Sequence, residues 1–434
     1  MSSGLTSNWS NFPKHRAQVF SATKADEVCT ISQNVHEFIA RGNGRSYGDA
    51  SLNDAILSTF NLKSPFILDE ENDIMIGGSG LLISEVLESL IPKGYFLPVV
   101  PGTKFITLGG AVAADIHGKN HYEAGTLANY VVAFDLFDGE KIVTCNKDLH
   151  SKLFFETIGG MGLTGIILQV SISLLKINTA FFKVKSQKIK DISQLLDVFE
   201  INKKSGYQAA WLDIASHQTG QMNAIYTYGN FANVAELDEN QMTNPLQNAI
   251  DKKFSVPMAM PNFTLNKWLL KVFNFVYFHL HQPKSNIVHL DKFLFPLDGM
   301  KHWNRLYGSN GFLQYQFVIP TGQFAEAVEP ILSEIHKSKE KVYLAVLKRL
   351  GPAHKNAVMS FPIDGYTLAL DFKKTKGIFT LLDRLDILVT NAGGRIYLAK
   401  DARMSAEIFS KSYLKTVSKN PKFASLLSKR LGLN

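Results

Sequence analysis

The sequence predicts an α+β protein of two domains, and three observations carry that prediction. Its 434 residues exceed what one hydrophobic core ordinarily serves. Strands and helices are mixed, with hairpin signals, instead of alternating one strand to one helix, which argues against a doubly wound parallel sheet. Glycine-rich turns crowd the first part of the chain and cease beyond Leu175, where its character changes.

In chain order, Ile74 and Ile76 mark a strand and lead through a Gly-rich turn into a helix. There Ile83, Val86, Leu87 and Leu90 follow helical spacing until Pro92 and Gly94 stop it. Val131 to Phe137 and Lys141 to Cys145 flank Asp138-Gly139, a strong hairpin signal. Beyond Leu175, Ile192, Leu195, Leu196 and Phe199 read as a helix, and Ala210 to Asp213 as a strand. A helix from Phe324 to Ile335, strands Val342 to Leu347 and Tyr366 to Phe372, and a short strand Arg395 to Leu398 follow. Lys411, Lys415 and Lys419 recur every four residues and would line one face of a helix in the tail.

Composition narrows the function classes. A 45% hydrophobic and 19% charged chain belongs with folded soluble proteins. Cys29 and Cys145 give neither a disulfide framework nor metal-ligand spacing, so no metal is expected. The start MSSGLTSNWSNF lacks the regions of a signal peptide, and a cytoplasmic setting is expected. The net charge of +8 is concentrated after Lys400, where seven basic residues face two acidic ones. Without aromatic interleaving or a recognition motif, this reads as a solvated face first, an anionic membrane surface second, and not as a nucleic-acid site.

Chemistry concentrates in RGNGRSYGD (Arg41 to Asp49), echoed by Thr107-Leu108-Gly109-Gly110 and by Asp115-Ile116-His117-Gly118. Glycines leave backbone N–H groups bare enough to touch an anion, so a phosphate-bearing cofactor is expected. Gly160 to Gly165 matches the G-x-G-x-x-G dinucleotide pattern, but the Ile-Ile-Leu-Gln-Val that follows is strand-like where that motif demands a helix. A nicotinamide site is therefore rejected there.

The order RGNGRSYGD, PGTKFITLGGAVAADIHGKNH and GGMGLTGIILQVSI resembles the flavin domain of the vanillyl-alcohol oxidase superfamily, and within it a branch acting on lipid-linked sugars of the decaprenylphosphoryl-ribose type. The likeness runs from about Trp9 to Arg403 and includes WNRLYG, FLQYQFVIP, AVLKRLG and RIYLAKDAR. It implies an FAD-binding domain over 1–177, a substrate (cap) domain over 178–384, and a return to the FAD domain over 385–434. It assigns Ala40, Arg41, Gly42, Asn43, Gly44, Arg45, Ser46, Tyr47, Gly48, Asp49 and Ala50 to FAD. Gly102, Thr107, Leu108, Gly109, Gly110, Ala114, Asp115, Ile116, His117, Ile166 and Tyr397 join them. Arg45 stands where many relatives carry a flavin-linked histidine, so the resemblance implies non-covalent FAD; Arg45 could pair with cofactor phosphate or with a carboxylate such as Asp49.

The implied reaction oxidises the 2-hydroxyl of a polyprenylphosphoryl pentose, the first half of an epimerisation that a separate NAD(P)H-dependent reductase would complete. Such a step needs a hydride acceptor, which FAD supplies, and a proton acceptor, which the protein supplies. Lys400 in YLAK is the first candidate, as base or as a charge steadying the reduced flavin. His117, holding substrate or assisting proton removal, is the second, and Tyr47 the third. Lys119, Gln314, Gln316 and Lys348 match positions lining the sugar-phosphate site, and Gln314 and Gln316 share a strand face. Ala369 and Thr367 depart from the family pattern, which has cysteine and asparagine there.

Residues 263–280, FTLNKWLLKVFNFVYFHL, are apolar and aromatic, with Thr264, Lys267, Lys271 and Asn274 on one helical stripe. The run is too short and too charged to span a bilayer. A buried cap helix and an interfacial helix both fit this pattern. The lipid-linked substrate favours peripheral contact with the inner membrane.

Overall fold

Among the described residues, the chain builds a four-stranded and a five-stranded sheet before residue 177 and an eight-stranded one after it, with two further two-stranded pairings, Tyr95–Phe96 with Leu175–Lys176 and Phe254–Ser255 with Met300–Lys301. The computed structural model describes residues 2–218, 220–249, 254–261 and 266–433. A four-stranded sheet orders Ser2–Ser7, Lys14–Ser21, Ala55–Ser58 and Ile39–Arg41. A five-stranded antiparallel sheet orders Ile67–Asp69, Ile74–Gly78, Ile166–Ser173, Val131–Phe137 and Ile142–Asn146. Asp138 Oδ1 accepts from the amides of Glu140 and Lys141, both at 2.9 Å, which closes the expected hairpin between the last two chain-adjacent strands. The strand Ile166–Ser173 directly follows the G-x-G-x-x-G sequence, so no helix N-terminus stands there to receive a pyrophosphate.

The third sheet has eight antiparallel strands in the order Ser285–His289, Phe181–Asp191, Gln221–Phe231, Tyr207–Leu212, Val342–Leu350, Gly365–Lys373, Phe312–Pro320 and Arg395–Ile396. One face packs on helices Ile192–Ile201, Thr321–Lys337 and Ile378–Asn391, as the ring contacts Phe199–Tyr226 (4.9 Å) and Phe324–Tyr366 (5.0 Å) show. Phe324, Val328, Ile331, Leu332 and Ile335 are buried at helical spacing, each contributing about 2 kcal/mol. The other face is set by register: Gln314 pairs with Asp371, Gln316 with Ala369, and Lys348 with Thr367. Paired residues of an antiparallel ladder share a face, so Gln314, Gln316, Thr367, Ala369, Asp371 and Lys348 form one wall. The row continues outward from Ala369 through Val346, Trp211 and Ile225 to Lys188.

Near its end the chain adds the strand Arg395–Ile396 to the large sheet, and further on Phe423 packs on Phe38 (5.3 Å) and Leu426 N bonds Leu52 O (2.7 Å). Two sequence expectations change, those for the tail helix and for the stripe within 263–280. The tail helix stops at Ser412, because Tyr413 turns extended and donates its buried hydroxyl to Ile396 O (2.8 Å); Lys415 and Lys419 therefore lie beyond it. The helix within 263–280 is Lys267–Leu280, and it docks through Leu270, Asn274 and Phe278, with Asn274 Nδ2 donating to Asp213 Oδ1 at 2.6 Å. Asn274 thus faces inward, while Thr264 lies outside the described residues.

Candidate active site

The glycine loop 42–48 connects Ile39–Arg41 to the segment that enters Ala55–Ser58, and it meets the large sheet where the Tyr47 ring packs on Phe312 at 5.4 Å. Among the described residues, the amides of Asn43, Gly44, Arg45 and Ser46 have no protein acceptor, an arrangement suited to an anion. Gly44 takes φ +59°, the left-handed region that turns its amide with its neighbours. Gly48 packs against Asp401, whose carbonyl oxygen would lie 1.6 Å from an added Cβ. The loop is braced by Tyr47 N bonding Ala399 O (2.9 Å), Asn8 Nδ2 bonding Gly48 O (2.8 Å) and Asn43 Nδ2 bonding Phe105 O (2.7 Å). Arg41 donates to Asn8 Oδ1 and Ser7 O and faces no carboxylate among the described residues, and burial lowers it to about 10. Bare amides and an uncompensated guanidinium fit a pyrophosphate.

Arg45 stacks on Trp9 at 4.0 Å and lies near Phe105 at 5.6 Å, away from Asp49. Asp49 is instead clasped by Arg430, at 3.0 and 2.8 Å, and Arg430 also reaches Asp401 at 2.9 Å. Thr107 caps the helix Leu108–Ala113 by accepting from Gly110 N (3.2 Å), and Gly109 N bonds Ser79 O (2.9 Å). Gly102 faces open space. Tyr397 donates to Ala114 O at 3.3 Å. Asp115 accepts from Ser360 Oγ (2.5 Å) and Ala128 N (2.9 Å), so its carboxylate fixes the loop. Ala50, Leu108, Ile116 and Ile166 bury their side chains in the core, leaving only backbone to offer. Ala40, Gly42, Ser46 and Tyr47 border the same loop.

Opposite stands the sheet wall. Gln316 Nε2 lies 3.2 Å from both His117 Nε2 and Thr367 Oγ1, and Thr367 spends its own proton on Phe317 O (2.8 Å). Both contacts therefore require the Gln316 amide nitrogen as donor, and His117 accepts at Nε2. Its proton sits on Nδ1, which is buried without a protein partner. Burial, then Lys348, His121 and Lys400, hold His117 well below its ordinary value, so it is neutral. Gln314 donates to Asp371 (2.6 Å), and Tyr307 donates to the same carboxylate (3.2 Å). The Oε1 atoms of Gln314 and Gln316 have no protein partner among the described residues and can accept hydroxyl protons.

Three lysines meet these amides. Lys400 lies over the Tyr47 ring at 3.6 Å, and burial lowers it to about 7 against the raising influence of Asp371. Lys119 donates to Phe293 O, lies 4.4 Å from its ring, and burial lowers it to about 7. Lys348 is lowered to about 8 by burial and has no hydrogen-bond or ion-pair partner among the described residues. Its charge acts on Lys119, Lys400, His117 and His121 together, which places it at the centre of the cluster.

Sequence reasoning missed Asp371, buried and raised by burial to about 6, although the alternation Thr367, Ala369, Asp371 put it on the same face. It also missed Arg430, for which no local signal exists.

A phosphate-ready glycine loop beside a polar sheet wall suits a nucleotide cofactor next to a polar substrate, and the similarity to known proteins makes the chain an FAD-dependent oxidoreductase. The FAD binding domain family matches residues 17–146. The chain is 33% identical over 411 residues to decaprenylphosphoryl-β-D-ribose oxidase of Mycolicibacterium smegmatis, covering 91% of this chain and 89% of that protein. An uncharacterized protein from the mprA 5′ region of Streptomyces coelicolor is 26% identical, over 81% of this chain and all of that one. Cytokinin dehydrogenase 2 of Arabidopsis thaliana is 27% identical over 33% of this chain and 29% of its own. The chain belongs to the vanillyl-alcohol oxidase family of flavoproteins, and its cofactor is FAD.

Proposed function

We propose that this enzyme oxidises the 2-hydroxyl of a polyprenylphosphoryl pentose to the 2-keto sugar, and that a separate NAD(P)H-dependent reductase completes the epimer. The observation that carries this reading is Lys348, an enclosed ammonium without a protein partner, flanked by Lys119 and Lys400. Burying three lysines together is costly in their charged form unless an anion joins them. A phosphodiester supplies that anion, and a neutral sugar does not.

Bound FAD supplies the two-electron acceptor. Lys119 and Lys348 hold the substrate phosphate, and the free Oε1 atoms of Gln314 and Gln316 accept sugar hydroxyls. His117 donates through Nδ1. Lys400, neutral for an appreciable time near pH 7, takes the hydroxyl proton, with Asp371 behind it to share the resulting charge. Arg45, stacked on Trp9, offers no nucleophile, so FAD is held non-covalently.

The test is anaerobic spectroscopy of the purified flavoprotein. A short-chain polyprenylphosphoryl ribose should bleach the flavin band, and free xylitol should not. Bleaching by the alditol alone would reassign the enzyme to the oxidases of free sugars.

A further inference from the structure

The helix Lys267–Leu280 is amphipathic in the wrong sense for a helix of a water-soluble surface. Its docked stripe, Leu270, Asn274 and Phe278, contains a polar residue, while its outward face is the apolar one. Trp268 is 79% exposed, Phe275 60% and Leu280 75%, with Leu269, Val272, Phe273 and Val276 exposed beside them. A contiguous apolar patch of this kind marks a surface that something covers.

Two observations say what covers it. First, the sequence from Phe254 to Leu290 contains no aspartate or glutamate, but carries Lys271 and Lys284, both exposed. Lys188 and Lys190 stand on the adjoining strand, and Lys188 Nζ bonds His279 O at 2.9 Å. A basic rim around an apolar, tryptophan-bearing face matches an anionic bilayer surface. A second copy of the same face would instead bring lysine against lysine. Second, the helix sits on the wall that leads to the lysine cluster. Tyr277 touches Trp211 at 4.9 Å, and Trp211 shares a register row with Val346, Ala369 and Gln316. Among the described residues no helix is long and apolar enough to cross a membrane, so this helix would lie in the interface.

We propose that Lys267–Leu280 docks the enzyme on anionic phospholipid bilayers and places the outer end of the sheet wall at the lipid surface. The route this gives a lipid-linked substrate rests on the function proposed above; the docking does not.

The experiment floats the FAD-loaded full chain with vesicles of phosphatidylcholine, alone or with phosphatidylglycerol. Flotation with the anionic vesicles is expected, with Trp268 emission shifting to the blue and quenched by brominated lipid. Trp268→Phe should lose most of that optical change and still float. Val272→Ser with Val276→Ser should abolish flotation, and Lys271→Ser with Lys284→Ser should weaken it about tenfold. The flavin spectrum and far-UV circular dichroism of each variant establish that it is folded. Absence of flotation, flotation indifferent to the serine pair, or a wild-type dimer that the serine pair dissociates would each overturn the proposal. Flavin reduction by a short-chain, detergent-dispersed substrate is measured in parallel. Reduction without docking removes only the membrane surface, and docking without reduction removes only the assigned substrate.

Discussion

The two walls of the cleft recognise ligands by different means. On the glycine loop the donors are peptide amides, those of Asn43 to Ser46, and most side chains there serve to brace the loop. On the sheet wall the donors and acceptors are side chains drawn from strands Phe312–Pro320, Val342–Leu350 and Gly365–Lys373, aligned by register. The first wall is specified by what must be absent, and the second by what must be present. A wall of amides suits a cofactor shared across a family, whereas a wall of side chains can be rewritten for each substrate.

Four experiments sharpen that contrast. Gly48→Ala should have the largest effect: the new Cβ would sit 1.6 Å from Asp401 O, so the loop must move. The purified protein should lack the flavin bands and lose about 3 kcal/mol in thermal or urea unfolding. A yellow variant of unchanged stability would show that the loop is not held as described. Lys400→Met should keep the flavin and slow its reduction by substrate about 100- to 10,000-fold in stopped flow. An unchanged rate would remove Lys400 from the chemistry.

Lys348→Met comes next, and should lower kcat/KM for a phosphate-bearing substrate about 30-fold, mostly through KM, because one charge-assisted contact is lost. Equal loss with a neutral polyol would mean that the lysine does not read phosphate. The smallest effect is the pH dependence of kcat/KM. It should rise through about pH 7 as Lys400 loses its proton, and fall between about pH 7 and 8 as Lys119 and Lys348 lose the charges proposed to hold phosphate, leaving a narrow maximum. In Lys348→Met the ascending limb should move to higher pH, because the charge that helps lower Lys400 is gone, and the remaining descending limb should be that of Lys119.

The same division explains how much the sequence revealed. Glycines announce themselves locally, so the loop at Arg41 to Asp49 and the hairpin at Asp138-Gly139 were legible without a structure. Gln314 and Gln316 were placed on one face by alternation alone. What escaped depends on tertiary pairing: Asp371 acquires meaning only opposite Gln314, and Arg430 only beside Asp49, 381 residues earlier. The Lys411-Lys415-Lys419 spacing is helical, yet anchoring of Tyr413 ends the helix first. For Lys267–Leu280 the periodicity was visible, but not which stripe the protein would bury, because that depends on tertiary partners, Asp213 for Asn274 among them.

The clasp of Arg430 on Asp49 and Asp401 also sets an order of events during synthesis. The glycine loop emerges early, but the helix Leu426–Leu431 that locks it, and the Lys400 segment it backs onto, are made hundreds of residues later. A nascent chain therefore carries the glycine loop without its Arg430 clasp until the tail has been made.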